Sequence, residues 1–337
     1  MKRCMRLVAW LAAFATLPTL AAAQSVEEFY KGKQIRFIVG TAAGDYDTWM
    51  RAIARPWGGH IPGKPGFVVE NMPGAGSLIA TNHLYNKAAR DGTVIGSVSR
   101  NIPGYAFKKQ PNANFDPLNF NWIGSPEMTH RGCYARTDSG ITEAKHLFER
   151  ELLVGTDGAG TALSETPVLL RNLLGMKFRT VDGYKGATDV VLAIQRNEVG
   201  GICQTVSAFT QTAQHLLDAG IVRLLFTTER DEVPELKVPT VFAFTTTDEQ
   251  RKILEFHASS LELGRPVLAP PGVPPERVQA LRRAFDATMK DPAFLAEARQ
   301  RKMDIEPRTG EQIEALLKSI AALPEDLLAK AAQMTRR

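Results

Sequence analysis

The sequence predicts an α/β protein built from two lobes that face each other across a cleft. The 337 residues exceed the length of one typical domain and suggest two. Signals for strands and helices alternate in two successive runs, which indicates mostly parallel sheets covered by helices. After Pro270-Pro271-Gly272 the pattern becomes wholly helical, which adds a helical tail.

The first 23 residues have the pattern of a cleavable signal peptide. Basic residues within the first six positions precede an apolar stretch at 7–20. Ala21-Ala22-Ala23 then supplies the small side chains that a signal peptidase accepts, so the mature protein is expected to begin at Gln24. Pro18 and the short apolar length argue against a membrane anchor, since a spanning helix needs about 20 apolar residues. The sequence therefore predicts a secreted, soluble protein.

The charge of the mature chain does not indicate nucleic-acid binding. The full chain has 41 Lys and Arg residues against 36 Asp and Glu residues. Removing the three basic residues of the leader leaves 38 against 36, which is close to neutral, and no basic block remains.

Two cysteines remain after removal of the leader, Cys133 and Cys203. In an oxidising compartment such a pair can form a disulfide. Each also lies in an apolar, strand-like run, where a buried free thiol is equally ordinary. The sequence leaves both alternatives open.

The first α/β unit follows the order βαβαβ. Asp47 is predicted to cap the first helix, which Pro56 should end or kink early. Ser77 is predicted to cap the second helix, and an Asp91-Gly92 turn leads into the third strand. The predicted strands are residues 34–39, 67–69 and 93–98.

The second unit starts near Gly132 and ends before the helical tail. Its predicted strands are residues 133–135, 152–154, 178–181, 201–203 and 222–226. Its predicted helices are residues 163–174, 188–196 and 208–219, and those of the tail are 275–290, 292–302, 309–322 and 325–334.

Glycine-rich loops follow several of these strands. In open parallel sheets, ligands bind beyond the carboxyl ends of the strands, where loops meet the N-termini of helices. Each such loop alone is a weak signal, because strand-to-helix turns use glycine for geometry. Four at the same end of two sheets indicate a binding cleft. The loops are residues 40–47, 71–77, 155–161 and 183–186.

Motifs of the common enzyme classes are missing from the sequence. There is no Gly-x-x-x-x-Gly-Lys-Ser/Thr phosphate loop and no Gly-x-Ser-x-Gly elbow. Gly158-Ala159-Gly160 lacks the last glycine of a dinucleotide fingerprint. A hydrolase would need a base beside its nucleophile, and no histidine is placed by sequence to serve Ser164 beside Glu165. The six histidines show no metal-ligand spacing, so we expect neither catalysis, a metal nor a cofactor.

At this point the motifs resemble a known family, the tripartite tricarboxylate transporter substrate-binding proteins or Bug family. The matches run in family order over nearly the whole mature chain. They are Tyr30-Lys-Gly-Lys-Gln-Ile-Arg-Phe-Ile-Val39, Tyr46-Asp-Thr48, Val69-Glu-Asn-Met-Pro-Gly-Ala-Gly-Ser77, Ala89-Arg-Asp-Gly-Thr-Val-Ile95, Trp122-Ile-Gly-Ser125, Gly183-Tyr-Lys-Gly186, Val238-Pro-Thr240 and Leu268-Ala-Pro-Pro-Gly-Val273.

This resemblance implies a two-lobed periplasmic binding protein (Venus flytrap) fold. The implied ranges are a signal peptide at 1–23, a first lobe at 24–128 and 262–337, and a second lobe at 129–261. The implied role is a monomeric periplasmic receptor that captures a small organic carboxylate in the interlobe cleft and delivers it to a two-component membrane permease. A ligand-sensing receptor for a membrane sensor is the alternative within this fold, and a periplasmic hydrolase is the alternative outside it.

The resemblance also places the ligand at the strand-end loops. The implied ligand-binding residues are Ala43, Gly44, Asp45, Tyr46, Asp47, Gly76, Ser77, Ser99, Arg100, Asn101, Gly158, Ala159, Gly160, Thr161, Tyr184, Lys185, Gly186, Gln204, Thr205 and Ser207.

Asp45 departs from the family pattern, which usually has a Pro-Gly-Gly-Gly type of run here. A carboxylate at this position disfavours a second carboxylate on the ligand, because like charges within about 4–6 Å repel. We therefore expect one carboxylate, with an amino, hydroxyl or aromatic group at the other end. Side chains that could flank a ring are Tyr46, Trp49 and Tyr184, and those that could meet the carboxylate are Lys185 and Arg100.

Overall fold

The computed structural model describes residues 24–158, 161–301 and 303–336. The predicted signal peptide and two predicted site residues, Ala159 and Gly160, lie outside this part of the chain. Within these ranges, no helix is both long enough and apolar enough to cross a membrane.

The described chain forms eleven strands and twelve α-helices. The strands are β1 (Gln34–Val39), β2 (Gly66–Asn71), β3 (Val94–Ser97), β4 (Asn121–Ser125), β5 (Arg131–Arg136), β6 (Leu152–Gly155), β7 (Phe178–Val181), β8 (Gly201–Thr205), β9 (Val222–Thr227), β10 (Val267–Ala269) and β11 (Arg308–Thr309). The helices are α1 (Val26–Tyr30), α2 (Asp45–His60), α3 (Leu78–Asn86), α4 (Ile102–Phe107), α5 (Ala162–Leu174), α6 (Ala187–Gln195), α7 (Val206–Asp218), α8 (Asp248–Glu262), α9 (Pro275–Thr288), α10 (Pro292–Gln300), α11 (Gly310–Ala321) and α12 (Glu325–Met334).

The first sheet has the strand order β11-β4-β10-β3-β1-β2. β1 pairs in parallel with β2 and β3, as the predicted βαβαβ order requires. β10 returns from the far part of the chain and inserts antiparallel between β3 and β4. Because β10 is three residues long and distant in sequence from its partners, its place in this sheet was not predicted.

The second sheet has the strand order β7-β6-β8-β5-β9. β6 runs parallel to β7 and β8, while β5 is antiparallel to β8 and β9. Cys133 on β5 lies directly opposite Cys203 on β8, with 4.0 Å between their Cα atoms, and a disulfide joins them. The structure thus decides between the two alternatives that the cysteines left open.

Both sheets are covered on both faces, so each has two hydrophobic clusters. Along β1, Phe37 and Val39 belong to one cluster and Ile38 to the cluster on the opposite face, as the alternation of a strand requires. In the second sheet, Cys133 and Tyr134 divide between the two faces in the same way. This two-sided burial fits the predicted sheets flanked by helices.

The first helix predicted from the sequence, observed as α2, departs from the prediction at both ends. α2 begins at Asp45, with Gly44 as its N-cap residue, so Asp47 lies inside the first turn and does not cap the helix. The helix continues through Pro56 to His60, so an early end, one of the two outcomes predicted for this proline, is wrong. Burial explains the continuation, because Trp57 is fully buried and its indole donates a hydrogen bond to the Leu281 carbonyl (3.1 Å).

The last helix, α12, packs against elements of the second sheet and its covering helices. Leu327 and Ala331 of α12 pack in a hydrophobic cluster with residues of β5, α5 and α8. Lys330 also forms an ion pair with Glu249 of α8 (2.5 Å). The lobe boundaries given above remain a prediction.

Candidate functional site

Ser77 ties together the ends of the three parallel strands of the first sheet. Its hydroxyl donates to the Gly40 carbonyl after β1 (2.9 Å) and accepts from the Ser99 amide after β3 (3.1 Å). A Cβ atom at Gly40 would lie 2.9 Å from the Ser77 side chain, so glycine is required by this close approach. Ser77 is the N-cap residue of α3, as predicted, but its hydroxyl makes no cap hydrogen bond, so it does not cap the helix through its side chain.

The loop that leads to Ser77 has an unusual backbone. Gly74, Ala75, Gly76 and Ser77 have φ angles of 137°, 46°, 60° and 76°. Positive φ is uncommon for residues other than glycine, and costs about 1–3 kcal/mol where it is held. The two hydrogen bonds of Ser77 help to offset this cost, and the Ser77 side chain has 1% exposure. Its hydroxyl is thus committed to positioning the loops.

Asp47 fixes the loop after β1 against the end of β2. Its carboxylate accepts hydrogen bonds from Arg51 Nε (2.9 Å) and Asn71 Nδ2 (2.9 Å), and the Asn71 amide also donates to the Thr41 carbonyl (2.9 Å). The hydrogen bond from Arg51 holds the pKa of Asp47 below its usual value. Asp47 is therefore an ionised carboxylate that holds the loop.

Tyr46 connects this loop to a more distant part of the chain. Its hydroxyl donates to the Gly264 carbonyl (3.1 Å) and accepts from the Arg100 amide (3.3 Å). Gly264 belongs to the segment that returns from α8 to β10. One phenol thus joins the loop after β1, the loop after β3 and this return segment.

Two antiparallel segments, residues 125–130 and 261–267, connect the sheets and are called the crossing segments here. The Thr129 amide donates to the Leu261 carbonyl (3.2 Å), and the Arg265 amide donates to Ser125 Oγ (3.0 Å). Gly264 has φ 54°, and a Cβ atom there would collide with the Glu127 carbonyl. The segments are therefore packed backbone to backbone.

A cavity of about 330 Å³, called the cleft cavity here, lies between the two sheets beside the crossing segments. Its size falls at the lower end of the range for small-molecule sites. Its walls come from both sheets and from the crossing segments. The lining residues are Tyr46, Ser99, Arg100 and Asn101 from the first sheet's side, Thr205, Ser207, Ala208 and Gln211 from the second sheet's side, and Glu127, Thr129 and Arg265 from the crossing segments.

The charged residues of the cleft cavity form one network. Arg100 Nη1 donates to Thr129 Oγ1 (2.9 Å), and Thr129 Oγ1 donates to Glu127 Oε1 (3.1 Å). Glu127 also forms an ion pair with Arg265. The Arg265 guanidinium lies over the rings of Trp49 (4.6 Å to the ring centroid) and Tyr46 (5.6 Å). Two cations and one carboxylate are thus held at fixed places.

A second cavity of about 380 Å³ shares Arg100 and Asn101 with the cleft cavity and opens toward α4, α5 and α8. Burial raises the pKa of Glu165 in its wall and lowers that of His257 to about 3, so the imidazole is neutral at neutral pH. Lys108 reaches toward Phe256 of α8, with 5.4 Å from Nζ to the ring centroid. This side chamber is more apolar than the cleft cavity.

The structure brings some of the expected site residues together and places others elsewhere. Tyr46, Ser99, Arg100, Asn101, Thr205 and Ser207 line the cleft cavity. Ala43, Gly44 and the backbone of Asp45 lie at the start of α2, and Asp47, Gly76 and Ser77 belong to the loop framework. Gly158, Thr161, Tyr184, Lys185 and Gly186 lie in loops after strands of the second sheet, and Gln204 is buried near the end of β8.

Four polar residues of the cleft cavity were missed in the sequence: Glu127, Thr129, Gln211 and Arg265. The crossing segments that carry three of them have no glycine-rich strand-to-helix turn. Gln211 is on an ordinary amphipathic helix, α7. The lone signal was the Trp122-Ile-Gly-Ser125 match, whose serine is the first residue of the first crossing segment.

In the described ranges, no group of three or more His, Cys, Asp or Glu side chains could hold a metal ion. The polar groups of the cleft cavity are instead hydroxyls, amides, two guanidinium groups and one carboxylate. Such a set can bind an organic anion through hydrogen bonds and charge.

Comparisons with solved structures agree with this architecture. A TctC solute-binding protein from Polaromonas, solved without ligand, has a TM-score of 0.70 at 18% identity, covering 89% of this chain and 99% of that one. The periplasmic binding protein BugD has a TM-score of 0.56 at 22% identity, covering 90% and 99%. A Rhodopseudomonas palustris protein solved with adipate has a TM-score of 0.57 at 19% identity, covering 90% and 97%. These similarities confirm the periplasmic binding protein fold.

No curated protein matches the sequence significantly. The family model described as tripartite tricarboxylate transporter family receptor, TctC, matches residues 63–322, which is more than half of the chain. This family and fold are those of substrate-binding receptors, and the resemblance found in the sequence is confirmed. The chain therefore belongs to the TctC family of tripartite tricarboxylate transporter receptors, which are periplasmic binding proteins.

Proposed function

We propose that this protein captures a small organic carboxylate in its cleft cavity and delivers it to a tripartite tricarboxylate-type membrane permease. The observation that carries the proposal is the placement of Arg100. Its side chain lines a cavity walled by both sheets, where a guanidinium group can hold a carboxylate through charge-assisted hydrogen bonds. The adipate bound to the R. palustris neighbour supports a carboxylate as the ligand class.

The side chains of the cavity suit the proposed ligand. Arg100 meets the carboxylate, while Ser99 and Asn101 on one side and Thr205 and Ser207 on the other supply hydrogen bonds. The remaining loops of the second sheet, at 158–161 and 184–186, are proposed to reach the ligand when the lobes close. Tyr184 is then proposed to flank an aromatic end, because the rings of Trp49 and Tyr46 already face the Arg265 guanidinium.

Thermal unfolding of the mature protein with a panel of mono- and dicarboxylates tests the ligand class. A ligand at 100 times its Kd should add about 2.7 kcal/mol of stability. The substitution Arg100→Gln should abolish the shift, whereas Arg196→Gln, which removes an exposed arginine at the end of α6, should leave it unchanged. A panel without any shift, or a shift that survives Arg100→Gln, would contradict the proposal.

Uptake by cells tests the delivery step. Cells that lack this protein should lose uptake of the carboxylate identified above, and the wild-type gene should restore it. The Arg100→Gln variant should not. Uptake that persists without the protein would instead favour a sensing role.

A further inference from the structure

We infer that Glu127 and Arg265 set the charge of the cleft cavity so that it selects a ligand with one carboxylate over a dicarboxylate of the same length. This inference rests on the proposed carboxylate-binding function and specifies the ligand class. It concerns two residues of the crossing segments.

The charges that line the cleft cavity do not balance. Among the described residues that line it, Arg100 and Arg265 are cationic and Glu127 is anionic, which leaves one positive charge in excess. The side chains of Arg265 and Glu127 are 13% and 12% exposed, so water screens them little. One ligand carboxylate neutralises the excess, whereas a second creates a net negative charge in a poorly screened site.

Arg265 cannot easily withdraw from the cavity. Its guanidinium lies over Trp49 and Tyr46, and its backbone amide is bonded to Ser125 Oγ (3.0 Å). Trp49 is 5% exposed and belongs to the hydrophobic core of the first sheet. The cation is therefore part of the cavity wall before any ligand arrives.

Glu127 acts as a counter-anion built into the chain. Its carboxylate pairs with Arg265 and accepts from Thr129, and Thr129 in turn accepts from Arg100. The same carboxylate is thus linked to both cations of the cavity. A dicarboxylate brings two more negative charges toward the two guanidinium groups to which Glu127 is already linked. Repulsion between these charges and the Glu127 carboxylate disfavours binding.

Calorimetric titration with matched pairs of acids tests this inference. The pairs are butyrate with succinate, hexanoate with adipate, and 4-methylbenzoate with terephthalate. Wild-type protein should bind the monocarboxylate of its best pair about tenfold more tightly than the dicarboxylate, a difference that corresponds to about 1.4 kcal/mol. Glu127→Gln should reduce this ratio about tenfold or more, because it removes the internal anion.

A second variant changes the charge without touching the crossing segments. Gln211→Lys adds a cation from α7 to the same cavity and should move the ratio in the same direction. Glu151→Gln removes an acid whose exposed ion pair with Arg179 lies away from the cavity, so this control should keep the wild-type ratio.

The outcomes separate the inference from the proposal on which it rests. A wild-type preference for dicarboxylates, or a ratio unchanged in Glu127→Gln, would overturn the inference while leaving the receptor function intact. If Glu127→Gln does not fold, an unchanged ratio in Gln211→Lys overturns it equally. Absence of binding by every acid of the panel to wild-type protein would overturn the proposed carboxylate function itself, and the inference with it.

Discussion

Ser77 shows how one side chain can position a site without being available to the ligand. Both hydrogen bonds of its hydroxyl go to the backbone of neighbouring loops, at Gly40 and Ser99. Tyr46 and Asp47 are used in the same way by the first loop. Among the polar residues of the strand-end loops, Ser77 and Asp47 hold the loops, Arg100 and Asn101 line the cavity, and Tyr46 does both.

Substitution of Gly40 by alanine tests the contact at Ser77. The new Cβ atom would approach the Ser77 side chain to 2.9 Å, so the loops must separate and the free energy of unfolding should fall by about 1–3 kcal/mol. Gly59→Ala is the matched control, since a Cβ atom there meets nothing within 4 Å and alanine favours the helix α2. Urea unfolding measures both. Equal stability of Gly40→Ala and wild type would show that the loops do not need this contact.

At the scale of residues, the sequence predicted six of the residues that line the cleft cavity. The glycine-rich loop and the family motif after the first strand both identify Tyr46, whereas Ser99 and Arg100 were predicted only from their position after the third strand. Glu127 and Arg265 could not be found in this way. They meet only because two segments more than 130 residues apart cross between the sheets, and neither segment has a periodic pattern of its own.

At the scale of elements, the strands of both α/β units were predicted well because each is a short apolar run bounded by turn residues. The helix α2 was predicted less well, since local rules at Pro56 were overridden by the burial of Trp57. The disulfide could not be decided from sequence, because it depends on whether β5 and β8 are neighbours and on their register. In the structure they are adjacent, with Cys133 opposite Cys203.

The disulfide is expected to stabilise the second sheet. It joins two strands across 70 residues of chain, and in the loop-entropy account a cross-link of this span contributes about 4 kcal/mol. The double variant Cys133→Ala/Cys203→Ala should therefore unfold at lower urea concentration than wild type. Thiol titration of denatured, unreduced wild-type protein should find no free thiol from these two residues, and two free thiols would contradict the disulfide.

The segment before β11 contacts the first crossing segment through Glu306, and this contact should make stability depend on pH. His130 Nε2 lies 2.7 Å from Glu306 Oε2, and the hydrogen bond to Glu306 raises the pKa of His130. A histidine whose pKa is raised by folding contributes stability that is fully present below its pKa in the unfolded chain, near 6.5. This stability is lost as the pH rises through the pKa of the folded state. Stability should therefore decline over this window.

The variant His130→Gln should remove this part of the pH dependence, so the difference in unfolding free energy between wild type and variant should shrink as the pH rises from 6 to 9. Urea unfolding at several pH values measures it. His83→Gln is the control, because among the described residues His83 has no ion pair with a carboxylate, and its profile should follow the wild type. A difference that stays constant or grows with pH would show that the pair with Glu306 does not act in this way.

At the scale of the whole molecule, the two sheets and their helices surround a cavity to which both contribute. Gly158, Thr161 and residues 184–186 are not among the described residues that line this cavity, although they follow strands of the second sheet. A ligand that binds better when both sets of loops touch it shifts the population toward closed lobes.

Small-angle scattering tests that closure. A carboxylate that binds tightly should reduce the radius of gyration of the mature protein, and Arg100→Gln should remain at the ligand-free value at the same concentration. The same radius with and without saturating ligand would show that binding needs no closure.

The claim that a carboxylate occupies the cavity between the sheets is tested most directly by a crystal structure of the protein with its tightest-binding acid. We expect a carboxylate within hydrogen-bond distance of Arg100, together with at least one contact from Thr205 or Ser207 on the opposite wall. A ligand bound in the side chamber beside Glu165 and His257, or on an outer surface, without contact to Arg100 would contradict it.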